Sequence, residues 1–168
     1  FEAFKKYQQM DPKDVRMKLE NYGSYIDLYF SVYDLAANQF NNKNYEGAFT
    51  SFKKALEVEE YILSKKYTYT QVTLNNLDTA LILNTAIAAT QAKKEDEAIR
   101  YYKKLVDANV AGQGYLEVYE YLVDYYNRKG DKVSFNEMLA KGRKYYPSNR
   151  YWNEIELENL SKSGDQVA

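Results

Sequence analysis

The side chains best equipped for chemistry gather in two acidic runs, Glu57-Val58-Glu59-Glu60 and Glu95-Asp96-Glu97. Paired carboxylates share general acid and base work when a cleft pushes their pKa values apart. Both runs fall where exposed helix ends or turns are expected, so solvated charge explains them. Acids near a helix start also favour its dipole. The other common chemistries lack their atoms, because the chain has no Cys and no His. Disulfides, thiolate nucleophiles, zinc ribbons, His-ligated metals and histidine-based triads are excluded. No metal site, no cofactor and no enzymatic activity are expected.

What remains suits recognition. Tyr occurs 19 times in 168 residues, and it offers a large apolar body with a wet tip to half-buried surfaces and grooves. The pairs Lys53-Lys54, Lys65-Lys66, Lys93-Lys94 and Lys103-Lys104 interleave with aromatics, as a nucleic-acid surface does. Acids offset them throughout, and the net charge is −1. No field gathers nucleic acid or an anionic membrane. The Lys pairs read as outer-face solubility. No apolar run approaches the roughly 18 residues of a membrane span. The length suits one domain with a real core.

Helices must position these groups. Pro and Gly are scarce, which favours helix. Ile26, Tyr29, Phe30, Tyr33, Ala36, Ala37 and Phe40 recur at helical spacing, as do Ala48, Phe52, Ala55, Leu56 and Tyr61. Gly23 breaks what precedes the first stripe. Ser24 with Asp27 reads as its capping box. "NNKN" at 41–44 reads as the turn to an antiparallel partner, with Asn accepting the left-handed backbone. The segment "LSKKYTYTQVTLNNLD" is too long for a tight turn. It reads as an extended helix end and then an irregular loop ending near Asn76. A hairpin arm over the β-prone "YTYTQVT" is the alternative.

The pattern recurs. "KNYEGAFTSFKKAL" at 43–56 has a counterpart in "KKEDEAIRYYKKLV" at 93–106, where Ala48 matches Ala98 and Phe52 matches Tyr102. A third copy is "KGDKVSFNEMLAKG" at 129–142. There Gly130-Asp131 make a better turn, and Phe135 replaces the alanine. Each copy follows an apolar helix.

These residues resemble the tetratricopeptide repeat, a helix-turn-helix unit of about 34 residues. Ala36, Ala48, Phe52 and Ala55 match in the first copy, and Ala86, Ala98 and Tyr102 in the second. Leu122, Tyr126, Gly130 and Pro147 match in the third. Three departures stand out: no complete copy opens on Trp, Gly142 replaces an expected alanine, and two linkers between copies are long. The fold the resemblance implies is an all-α superhelix, a solenoid of stacked antiparallel helix pairs over 1–168. Complete repeats fall at about 29–62, 79–112 and 116–149. Partial repeats fall at 1–12, with Phe4, Tyr7 and Pro12 in late positions, and at 150–168, with Gly164-Asp165 as its turn. The chain then reads as a piece of a longer solenoid, in the manner of bacterial tetratricopeptide proteins; the alternative is that both ends are capping helices of a complete domain. That likeness leans towards an exported or periplasmic location, with a leader absent from this chain.

Physics alone asks for the stacking. Ala36 and Ala48 let two helices approach closely, and a lone pair cannot bury its stripe. Stacked pairs make a concave face lined by each first helix. At about 100° per residue, positions opposite the crossing alanine face that groove. They are Asp34, Ala37 and Asn41, then Asn84, Ile87 and Gln91, then Tyr121, Asp124 and Arg128. Tyr33 and Asn127 flank them. The expected function is a non-enzymatic scaffold that holds a protein or extended peptide there, Asn41 and Asn84 bonding its backbone. The alternative is a structural spacer or an oligomerisation module, with a homo-oligomer forming through the terminal helices. Some members of the family clamp a carboxylate tail with Lys, Arg and Asn. Only Arg128 is basic here, and Asp124 lies beside it.

Overall fold

The protein is described by a computed structural model over residues 1–11, 13, 15–69 and 72–164. Pro12, Asp165 and the centre of "YTYTQVT", Thr70-Gln71, lie outside the described residues, as does the side chain of Phe4. Among the described residues there are nine helices and no strand. They are α1 (Glu2–Met10), α2 (Val15–Leu19), α3 (Gly23–Asn41), α4 (Tyr45–Lys65), α5 (Thr79–Gln91), α6 (Glu95–Asp107), α7 (Leu116–Lys129), α8 (Lys132–Tyr145) and α9 (Tyr151–Gly164). Neighbours in the chain pack as pairs: α3 with α4, α4 with α5, α7 with α8 and α8 with α9. Contacts divide the chain into two compact units, Phe1–Tyr101 and Tyr102–Ala168, so that α6 contributes to each.

In the first unit the periodic residues do what their spacing demands. Ala36 and Ala48 are fully buried, and Phe52, Ala55 and Leu56 fill the same core. An alanine at a crossing removes the side-chain thickness that would hold two backbones apart. Phe30 leaves the stripe and stands 44 % exposed. The acidic run 57–60 is also not at a helix end. α4 continues to Lys65, so the run lies in mid-helix. Glu59 there is buried, against the expectation of solvated charge, while Glu60 is exposed. The second run meets its expectation: Glu95, Asp96 and Glu97 form the first turn of α6.

The capping box at Ser24 does not form. Two left-handed residues, Asn21 and Tyr22, turn the chain into α3, which starts already at Gly23. Ser24 then donates its hydroxyl to Glu20 Oε2 at 3.0 Å. Beyond α4 the chain runs without strand through the described residues to Asp78. Tyr67 returns to stack on Tyr22 at a centroid distance of 3.7 Å. The Tyr69 hydroxyl donates to the Tyr22 carbonyl at 3.2 Å, and Gln8 Nε2 donates to the Tyr67 hydroxyl at 2.8 Å. Asp78 ends the loop by capping α5, accepting from Leu81 N at 2.8 Å.

Among the described residues, six helix ends share one hydrogen-bond scheme, three of them at the tight turns α3–α4, α5–α6 and α7–α8. Asn44 N, Lys94 N and Asp131 N donate to the carbonyls of Gln39, Ala89 and Tyr126. One residue earlier, Lys43 N, Lys93 N and Gly130 N donate to Phe40, Thr90 and Asn127. The middle residue is left-handed each time, with φ 60° at Lys43, 59° at Lys93 and 70° at Gly130. This satisfies the carbonyls a helix end leaves open. The left-handed residue in "NNKN" is therefore Lys43 and not an asparagine. Asn44 serves as the next helix's cap, accepting from Gly47 N at 3.1 Å.

In the second unit Val118, Tyr119, Leu122 and Val123 of α7 meet Phe135, Met138 and Leu139 of α8 in a buried core. Trp152 of α9 is buried and donates its indole N–H to the Tyr146 carbonyl at 2.8 Å. Its ring lies over Gly142: a Cβ there would stand 2.6 Å from Trp152 Cη2. Only glycine admits that approach.

Candidate functional site

Two helices of the first unit, α3 and α5, enclose a pocket of about 240 Å³ with α4 as its floor. Tyr33, Ala37, Phe40 and Asn41 come from α3, Phe52 from α4, and Asn84 and Ile87 from α5. The lining is mostly apolar, with the Asn41 and Asn84 amides and the Tyr33 phenol as its polar groups. Asn84 Nδ2 donates to the Tyr33 hydroxyl at 3.2 Å. Tyr33 is held in turn against Phe52, edge to face, with centroids 5.7 Å apart.

The position of these groups follows from the chain. Residues three and four apart share one helix face, which lines up Tyr33, Ala37, Phe40 and Asn41. The same rule pairs Asn84 with Ile87. Below Tyr33, one turn earlier, Tyr29 is buried and donates its hydroxyl to Asp78 Oδ2 at 3.1 Å. Burial first, then the Asp78 and Glu59 carboxylates, push its phenol far above the ordinary value. Tyr29 therefore stays neutral and acts as a strut between α3 and the start of α5.

Of the positions named from sequence, Tyr33, Asn41, Asn84 and Ile87 come together here, with Ala37 between them. Asp34 and Gln91 are exposed and do not line the pocket. Phe40 and Phe52 complete it, although their apolar character had marked them only as packing residues. Asn84 differs from expectation in one respect. One N–H of its amide is taken by Tyr33, which leaves the second N–H and the oxygen for a ligand.

The remaining positions lie in the second unit. Tyr121 is half-buried, its ring 4.9 Å from that of Tyr102. Asp124 and Arg128 are exposed and joined by a 2.9 Å ion pair. That pairing engages Arg128, the one basic residue among the groove positions named from sequence. Asn127 lines a smaller hollow of about 50 Å³ with Tyr126, Phe135 and Asn159.

Among the described residues, three of the four Lys pairs meet acids, Lys65-Lys66 being the exception. Lys53 faces Glu97 at 4.0 Å, Lys54 binds Glu57 at 2.6 Å, Lys94 binds Glu46 at 2.9 Å and Lys103 faces Asp107 at 3.9 Å. Among the described residues, no group of three or more Asp or Glu side chains is arranged to hold a metal ion. None of their helices is long and apolar enough to cross a membrane. No protein-family model matches the chain, and no curated protein matches it.

Proposed function

We propose that this chain is a non-enzymatic scaffold that binds a protein or extended peptide in the groove of a tetratricopeptide-like superhelix. The observation that carries the reading is the α3–α5 pocket, where residues from the first helices of two successive units meet over an apolar floor. An apolar concavity with a few placed amides is the usual chemistry of a binding site. The Asn84 oxygen and the Asn41 amide match the backbone groups of an extended chain. The repeat reading draws support from the tight turns α3–α4, α5–α6 and α7–α8, each with its left-handed residue two before the next helix starts. It draws more from the buried alanines Ala36, Ala48, Ala86 and Ala98.

The test is affinity capture with the chain, identification of what stays bound, and titration of that partner. Asn84→Ala is expected to weaken binding by about fivefold, the worth of roughly 1 kcal/mol for one hydrogen bond. Helicity by circular dichroism should not change. Undiminished binding by the variant removes Asn84 from the site.

A structural module that self-associates through its terminal helices is the second reading. Leu157 and Leu160 on α9 are 67 % and 62 % exposed, and Met10 at the end of α1 is 76 % exposed. A solution mass that rises with concentration favours it, and a constant monomer mass removes it.

A further inference from the structure

The groove between α3 and α5 has a one-sided charge. No Asp, Glu, Lys or Arg lines the pocket itself. α5 carries no charged residue from Thr79 to Gln91. α3 carries two, and both are carboxylates, Asp27 and Asp34. The series Asp27, Phe30, Asp34, Ala37, Asn41 steps by three and four residues, so it forms one stripe along α3. Ala37 and Asn41 of that stripe line the pocket. Asp27, Phe30 and Asp34 continue it as exposed side chains. The acids opposite the Lys pairs all have cations. Neither Asp27 nor Asp34 has one among the described residues.

We propose that this groove selects extended segments in which a large apolar side chain fills the pocket and a Lys or Arg two residues away meets Asp34. The inference rests on the groove reading above and names the class of its ligand. Asp34 lies about 4.5 Å from Ala37 along the helix axis, at 1.5 Å per residue. An extended chain places alternate side chains on one face, about 6.6 Å apart at 3.3 Å per residue. A long cationic side chain spans the difference. The ligand class is therefore apolar, any residue, then basic. An acidic segment at the same place meets unpaired carboxylates and is repelled.

The experiment uses the full chain and three fluorescein-labelled, end-capped Gly/Ser peptides that differ at two positions: Phe-x-Arg, Phe-x-Glu and Ala-x-Arg. Anisotropy titrations should rank Phe-x-Arg tightest. Asp34→Asn should reduce the preference for Arg over Glu by roughly two- to fivefold, the worth of one exposed ion pair. Added salt should reduce it as well. Ala37→Trp fills the pocket and should abolish binding of every probe. Ile87→Lys, at a half-exposed position, serves the same purpose if the Trp variant loses helicity. Equal or tighter binding of Phe-x-Glu, with the pocket variants still abolishing it, overturns the basic-ligand proposal and leaves the groove reading in place. Binding of no probe that depends on the pocket overturns both.

Discussion

A Cβ at position 142 would come within 2.6 Å of the Trp152 indole. Gly142→Ala is therefore expected to cost about 1–3 kcal/mol, the usual range for overpacking. A thermal melt reads it, and an unchanged midpoint would show that the ring moves aside freely. In sequence Gly142 looked like a departure from a repeat pattern. Its reason lies ten residues on, in a contact between helices, which no spacing rule within one helix reveals. Tyrosines offer a second test at this scale. Burial, with nearby charge, raises the phenols of Tyr69, Tyr119 and Tyr151 to about 12 and Tyr29 further still. An unfolded phenol titrates near about 10. The folded state thus holds protons that the unfolded state loses first. Stability from these groups is whole below about pH 10 and falls between there and about pH 12. Urea midpoints should stay level up to about pH 9 and drop beyond it, with phenolate absorbance rising late. A flat profile through that window would refute the burial of these hydroxyls.

Among elements, the turns are the clearest unit. At the three tight turns between paired helices the left-handed position is held by lysine twice, Lys43 and Lys93, and once by Gly130. A side chain pays roughly 1–2 kcal/mol for that backbone, and glycine does not. Lys43→Gly and Lys93→Gly should each stabilise the first unit by up to about 1 kcal/mol, after the extra chain entropy of glycine is subtracted. Gly130→Ala should destabilise the second by a similar amount. Urea unfolding measures all three, and an opposite sign in either pair would mean that the turns are not equivalent. The places of these turns were legible in the recurring alanines. Which residue turns left-handed was not, because Asn41, Asn42 and Asn44 all suit that backbone better than the lysine between them. The need of Asn44 as a cap decides it. The burial of Glu59 was likewise hidden, since it depends on α4 running on to Lys65.

For the molecule as a whole, helical periodicity marked the paired helices but not the short α2, and simple rotation around α3 and α5 named most of one pocket. Ala37, Asn41, Asn84 and Ile87 share it because each sits opposite a buried alanine, Ala36 or Ala86. Asp34 and Gln91 are exposed and fall outside its lining. The division of contacts within α6, between Tyr101 and Tyr102, left no mark in composition or turn residues. Nor did the return of the α4–α5 loop, since aromatic stacking over dozens of residues has no period to read.

That returning loop sets an order in time. Gln8 and Tyr67 meet across 59 residues, and Tyr69 and Tyr22 across 47. Helix turns join partners only a few residues apart, so they zip early, and distant partners wait for the chain between them to be gathered. The stacked rings of Tyr22 and Tyr67 are thus a late clasp on an already collapsed unit. Tyr67→Ala should quicken the unfolding limb of a stopped-flow chevron and leave refolding nearly untouched. A slowed refolding limb would instead put the clasp in the nucleus.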